Sequence, residues 1–280
     1  MPDAGPTAVL PRRPLTVGEL LDSAVLLLRD HARVLVPVAA LLAAGEQLLL
    51  LPVRLAAGTD QPVWFAEFGR FGWYWLLLVI GAATEAMIIM VLGNPAARAA
   101  GAALLGRRAS ARELLRPAGA RWGATLLLVP VVGAVMTTAA LLGPTWLIGF
   151  ALLGAVAPAL VVDRVHPLRA PLRSATLAVR AGGRAGAVRL LGYLAWWLVR
   201  VGLGVGVYYG LDGLDLLPET WQIPVSLLIW AGVNSVAYPA IACLDAAVHL
   251  ETRIRTEGLD ILLARAPAGT PDAALLAALR

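Results

Sequence analysis

The residues best placed to do chemistry are polar groups set inside long apolar runs. Glu46 and Gln47 interrupt one run, Glu85 a second, Arg200 a third and Asn234 a fourth. A charged side chain at the centre of a bilayer costs on the order of 3 kcal/mol or more, so an intramembrane ionisable residue is a functional-site candidate by default. Arg200 lies mid-run and needs an acid; Glu46 or Glu85 can supply it. Such a pair is either a clamp between helices or part of a proton or ion relay. Glu46 sits within two turns of the end of its run, so a cavity facing outward is a third reading.

Recognised catalytic signatures are missing from the chain. There is no Gly-x-Ser-x-Gly elbow, His-Glu-x-x-His pair, phosphate loop or dinucleotide fingerprint. His31, His166 and His249 are scattered without metal-ligand spacing. Asp163 and Asp245 each close an apolar run and read as membrane-boundary charges. With His166 and nearby arginines they can alternatively line a lipid-headgroup pocket. The single cysteine, Cys243, excludes an intrachain disulfide and reads as a small buried residue. No catalytic residue, metal site or cofactor is expected.

The elements that must position these residues are membrane spans. The 280 residues are 59% hydrophobic and 15% charged, with a mean hydropathy of +0.77; soluble domains carry about 25% charged residues. A span needs about 20 apolar residues, and six stretches meet or approach that: 34–53, 73–92, 122–142, 146–162, 188–208 and 223–244. Gly143-Pro144-Thr145 is a turn signal that divides the third from the fourth. The expected architecture is therefore an all-α bundle of six transmembrane helices in one domain, residues 1–260, with a flexible tail at 261–280.

All 23 basic residues are arginine, and 20 of them fall in the N-terminal segment, the second-to-third and fourth-to-fifth connections and the C-terminal tail. Only Arg54 and Arg70 fall in the opposite loops. By the positive-inside rule the Arg-rich side, with both termini, faces the cytoplasm. A pI of about 10.1 then reflects anionic lipid headgroups as partners rather than nucleic acid. The opposite loops carry acids and an aromatic run from Trp64 to Trp75, either an interfacial anchor or a substrate-gathering lip.

Three Arg-rich segments share a pattern. Ser23 is followed by Arg29 and Arg33, Ser110 by Arg116 and Arg121, and Ser174 by Arg180 and Arg184. Each precedes a pair of spans, so the pattern is either chance or a threefold repeat of interfacial helix plus hairpin. In the repeat reading these arginines form a collar that binds anionic lipid or a partner's acidic surface. Gly202, Gly206 and Gly210 recur every fourth residue and mark a face for packing against a helix or a second subunit. Pro37, Pro130, Pro158, Pro224 and Pro239 are expected to bend or break their spans.

Three stretches carry a family likeness: Arg13-Pro14-Leu15-Thr16-Val17-Gly18-Glu19-Leu20-Leu21-Asp22, Ala157-Pro158-Ala159-Leu160-Val161-Val162-Asp163 with Pro171-Leu172-Arg173-Ser174, and Thr252-Arg253-Ile254-Arg255-Thr256-Glu257-Gly258-Leu259-Asp260. Together they resemble the membrane domain that precedes the catalytic barrel in some glycerophosphodiester phosphodiesterases, a family of bacterial integral membrane proteins. The resemblance implies six helices in a bacterial inner membrane. It implies no activity, because the catalytic domain would follow residue 260. His249 and Thr252 depart from the family's pattern. The leading expectation is a non-enzymatic scaffold or accessory subunit, with lipids, protein partners or a second copy bound. The alternatives are a small-molecule, lipid or ion transporter using Glu46, Glu85 and Arg200, and an intramembrane lipid-modifying enzyme.

Overall fold

The computed structural model describes residues 9–58, 68–267 and 269–278, and all regular structure among them is helical. Three long helices dominate: α1 (Val17–Ala57), α2 (Phe71–Leu104) and α9 (Glu219–Glu257). Between α2 and α9 run α3 (Ala111–Leu115), α4 (Trp122–Leu141), α5 (Trp146–Leu153), α6 (Val156–Val161), α7 (Ala170–Val179) and α8 (Arg184–Gly213). The chain closes with α10 (Leu259–Arg265) and α11 (Asp272–Leu276). Five helices, α1, α2, α4, α8 and α9, are long and apolar enough to cross a membrane, as a multi-pass membrane protein requires. Large apolar side chains such as Leu41, Leu127, Leu198 and Leu228 point outward, each more than 60% exposed. Such surface is untenable in water and suits lipid.

The long helices exceed what hydropathy marks. At 1.5 Å per residue the 41 residues of α1 run about 62 Å, roughly twice the hydrocarbon core. Its start is fixed by a capping box, Thr16 with Glu19, and its end by Gly58 in the left-handed region. Residues 17–33, expected as a separate interfacial helix, are therefore the first turns of the span helix itself. The second such segment is only the short α3, and the third is α7. The internal prolines Pro37, Pro130, Pro224 and Pro239 lie inside continuous helices rather than at breaks.

The fourth apolar stretch does break, between α5 and α6. Pro158 has no N–H for the Gly154 carbonyl four residues earlier, and its ring crowds that position. Ser174 repairs the gap: its hydroxyl donates to Leu152 O (2.5 Å) and accepts from the Ala155 N–H (3.1 Å). Gly154 is needed there because a Cβ would collide with the Asp245 carboxylate. Asp245 is thus buried beneath the break and paired with buried Arg189 (3.4 Å), not a boundary charge.

α1, α2 and α9 form the core, with α4 on α2 and α8 on α9 and α5. The N-terminus of α1, the C-termini of α2 and α9, and the start of α8 share one end of the bundle, the Arg-rich end. The tail expected to be flexible packs there. Leu263 and Leu276 are buried, Arg107 pairs with Asp272 (2.8 Å), and the Ala278 N–H donates to Asp163 O (3.0 Å).

Candidate binding cavity

The polar residues of the apolar runs converge. A cavity of about 700 Å³ opens between α8 and the α1–α2–α4 side, and Glu46, Gln47, Glu85, Arg200 and Asn234 all line it. The helices place them in register, since one turn of α1 carries Glu46 and Gln47 while α2, α8 and α9 each contribute one residue. Arg200 pairs with Glu85 at 2.8 Å, which settles which acid answers the buried guanidinium. Tyr193 donates to Glu85 (3.2 Å), and the guanidinium lies 5.7 Å and 5.5 Å from the ring centres of Tyr193 and Tyr238. Cation–π contact on both rings strengthens in a desolvated site.

Glu46 has a different environment. Its carboxylate accepts from Tyr238 Oη (2.6 Å), Thr84 Oγ1 (2.9 Å), Gln47 Nε2 (3.4 Å) and Asn234 Nδ2 (3.5 Å). Asn234 also donates to Tyr238 Oη (2.9 Å). Glu46, Glu85, Arg200, Tyr193 and Tyr238 are all less than a tenth exposed. The phenols and Thr84 complete the site but gave no sequence signal, because hydroxyls are unremarkable in apolar helices. Trp75, Trp146, Trp197 and Trp230 form apolar walls, while Gly143 and Pro144 mark the end away from the arginines. Of the aromatic run, Tyr74 and Trp75 line the cavity, Phe71 and Trp73 are exposed, and 59–67 lie outside the described residues.

The expected arginine collar divides in two. Arg29, Arg33 and Arg116 are exposed. The others serve the protein. Arg121, itself in the left-handed region, donates to Leu160 O (3.1 Å) and Val165 O (2.7 Å), closing the open carbonyls after α6. Arg184 pairs with Glu251 (3.0 Å) and donates to Leu15 O (2.8 Å); Arg180 reaches Glu257 (3.2 Å). Gly202, Gly206 and Gly210 face outward with no atom of the chain near a Cβ; the glycines of α8 that do pack include Gly192, against Leu244, and Gly204, against Trp230.

Beneath the tail lies a second buried network. Asp163 contacts His249 Nε2 (2.8 Å), Arg253 (2.8 Å) and Arg173 (2.9 Å). Arg173 and Arg253 share Glu257, and Arg253 donates to Leu276 O (2.5 Å). Burial alone would raise the Asp163 carboxyl, but the His249 ring, Arg253 and Arg173 outweigh it and hold it at about 2. The imidazole beside Asp163 is therefore His249; His166 instead caps the turn at Leu168. Among the described residues no group of three or more His, Cys, Asp or Glu is placed to hold a metal ion. No family model, curated protein or solved structure matches the chain.

Proposed function

We propose that this chain is a six-span bacterial inner-membrane protein, both termini in the cytoplasm, that binds an amphipathic small molecule in its outward-facing cavity and passes it between the membrane and the outer surface. The observation that carries the reading is the cavity itself. Its volume lies in the range of small-molecule sites, about 300–1,000 Å³. It combines apolar walls with converging polar groups at its floor, the arrangement that holds a molecule with an apolar body and a polar end. The direction of the chain supports six spans. α4 ends away from the Arg-rich end and α8 begins at it, so α5 and α6 return between them. Their sixteen residues reach about 24 Å, and flanking residues make up the remainder. The likeness to phosphodiesterase membrane domains supports the same topology.

The test is a titration of the purified protein in lipid nanodiscs with decanol, followed by fluorescence of the cavity tryptophans. Saturable binding is expected. It should be lost in Gly81→Phe, because Gly81 lines the cavity and nothing stands within 4 Å of where its Cβ would point. Equal response in the variant would remove the cavity from the function. A scaffold role is the second reading, favoured by the exposed glycine face of α8 and the exposed Arg29, Arg33 and Arg116.

A further inference from the structure

We propose that the ligand is an organic cation, an ammonium ion carrying an apolar body, with Glu46 as its counter-charge; this rests on the cavity reading above. The two acids of the cavity are not equivalent. Glu85 has its cation at contact, Arg200, so that pair is neutral and its guanidinium is already engaged with two phenol rings. The four groups that hold Glu46 are all neutral: Tyr238, Thr84, Gln47 and Asn234. None of these partners carries a positive charge, so a carboxylate here is left to be neutralised, and a bound cation does that at contact.

Two neighbouring groups point to the same ligand chemistry. Gln47 Oε1 and Asn234 Oδ1 are buried acceptors without a hydrogen-bond partner among the described residues, and both residues line the cavity. A buried acceptor left unmade costs about 1–3 kcal/mol, which a ligand N–H recovers. One carboxylate with two vacant amide oxygens asks for a donor carrying positive charge. An anion would need a vacant cation instead. Arg200 is engaged by Glu85, and Arg54, which lines the same cavity about two turns along α1 from Glu46, has an interaction of its own. The walls exclude a bare ion as the whole ligand. Trp75, Trp146, Trp197 and Trp230 surround far more volume than an ammonium head fills, so an apolar body must accompany it. Indole faces also attract cations.

The experiment compares three probes of equal chain length, decylammonium, decanol and decanoate, on the full-length protein in nanodiscs of uncharged lipid. The expected order of affinity is decylammonium, then decanol, then decanoate. Glu46→Gln should weaken decylammonium about tenfold or more, the effect of losing a charge-assisted bond, and weaken decanol, whose hydroxyl meets no charge requirement, by much less. Decanol binding also shows that the variant has kept its cavity. Gln47→Met, nearly isosteric and lacking the amide oxygen, should weaken decylammonium selectively and by less. If decanol binds but decylammonium binds no more tightly, or Glu46→Gln weakens both alike, the cation assignment falls and the cavity reading stands. If no probe binds saturably, both fall.

Discussion

At the scale of single residues, the Arg200–Glu85 pair at the floor of the cavity must be removed together or not at all. Arg200→Leu leaves Glu85 buried without its cation, and breaking a buried pair from one side costs about 3–5 kcal/mol. Glu85→Leu strands Arg200 in the same way. The joint replacement should recover most of the loss, because two leucines bury without a charge penalty. Thermal unfolding in mild detergent reads this directly, and simple additivity of the two single losses would refute the clamp. Asp163 makes a pH prediction. Its carboxyl is held at about 2, against an ordinary value of 3.8. A depressed acid contributes stability above its unfolded value and loses it as pH falls through the folded one, here about 2 kcal/mol between pH 4 and 2. His249, held below its ordinary range by burial and raised by Asp163, is protonated before Asp163 is, so the comparison belongs at the acid end: the stability gap between wild type and Asp163→Asn should close from pH 4 toward pH 2. A gap that widened over that range would reverse the assignment. Glu46, Gln47, Glu85, Arg200 and Asn234 were legible in sequence because a polar group in an apolar run costs enough to demand a reason. Tyr193, Tyr238 and Thr84 were not, since a hydroxyl in such a run carries little cost. Nor was His249, whose partner Asp163 lies 86 residues away and is found only through the packing of α9.

At the scale of elements, the sequence marks where lipid begins and ends, not where a helix does. The run at 34–53 became a helix from Val17 to Ala57 because its cap, Thr16 with Glu19, lies well outside the hydrocarbon window. The same overshoot carries α9 to Glu257, bringing Glu251 and Glu257 beside Arg184 and Arg173. Arginines that seemed reserved for lipid are thereby used inside the fold. The charges were visible, but not the helix extension that pairs them. The break between α5 and α6 was half legible: Pro158 announced an irregularity, while the serine that repairs it sits in another helix. Ser174→Ala removes both repairing hydrogen bonds and leaves the buried Ala155 N–H and the half-buried Leu152 carbonyl without that partner. A loss of about 1–3 kcal/mol is expected. Hydrogen exchange should rise at Ala155 and its neighbours while α1 and α9 stay protected. Uniform loss of protection would mean that Ser174 supports the whole bundle rather than the break.

At the scale of the whole molecule, the six-span arrangement turns on whether the short, broken α5–α6 pair crosses the membrane. The thiol background is favourable for deciding it. Cys243 is the only cysteine and is 0% exposed, so single introduced cysteines report alone. Leu142 (71% exposed) precedes α5, and Leu168 (78% exposed) follows α6. Leu142→Cys should react with a membrane-impermeant maleimide in intact cells, and Leu168→Cys only after the cells are opened. Asp212→Cys in the last turn of α8 and Ala264→Cys in α10 extend the comparison, with Asp212→Cys expected outside and Ala264→Cys inside. The expected sides follow from the arginine asymmetry, which in the proposed topology would set the exposed Arg29, Arg33 and Arg116 against anionic headgroups on the cytoplasmic face. The complete inverse pattern would turn the protein over and direct the cavity to the cytoplasm. Labelling of Leu142→Cys and Leu168→Cys from the same side would mean that α5 and α6 dip into the bilayer without crossing. The end of α4 and the start of α8 would then share a face, which the parallel course of these two helices, both starting at the Arg-rich end, opposes.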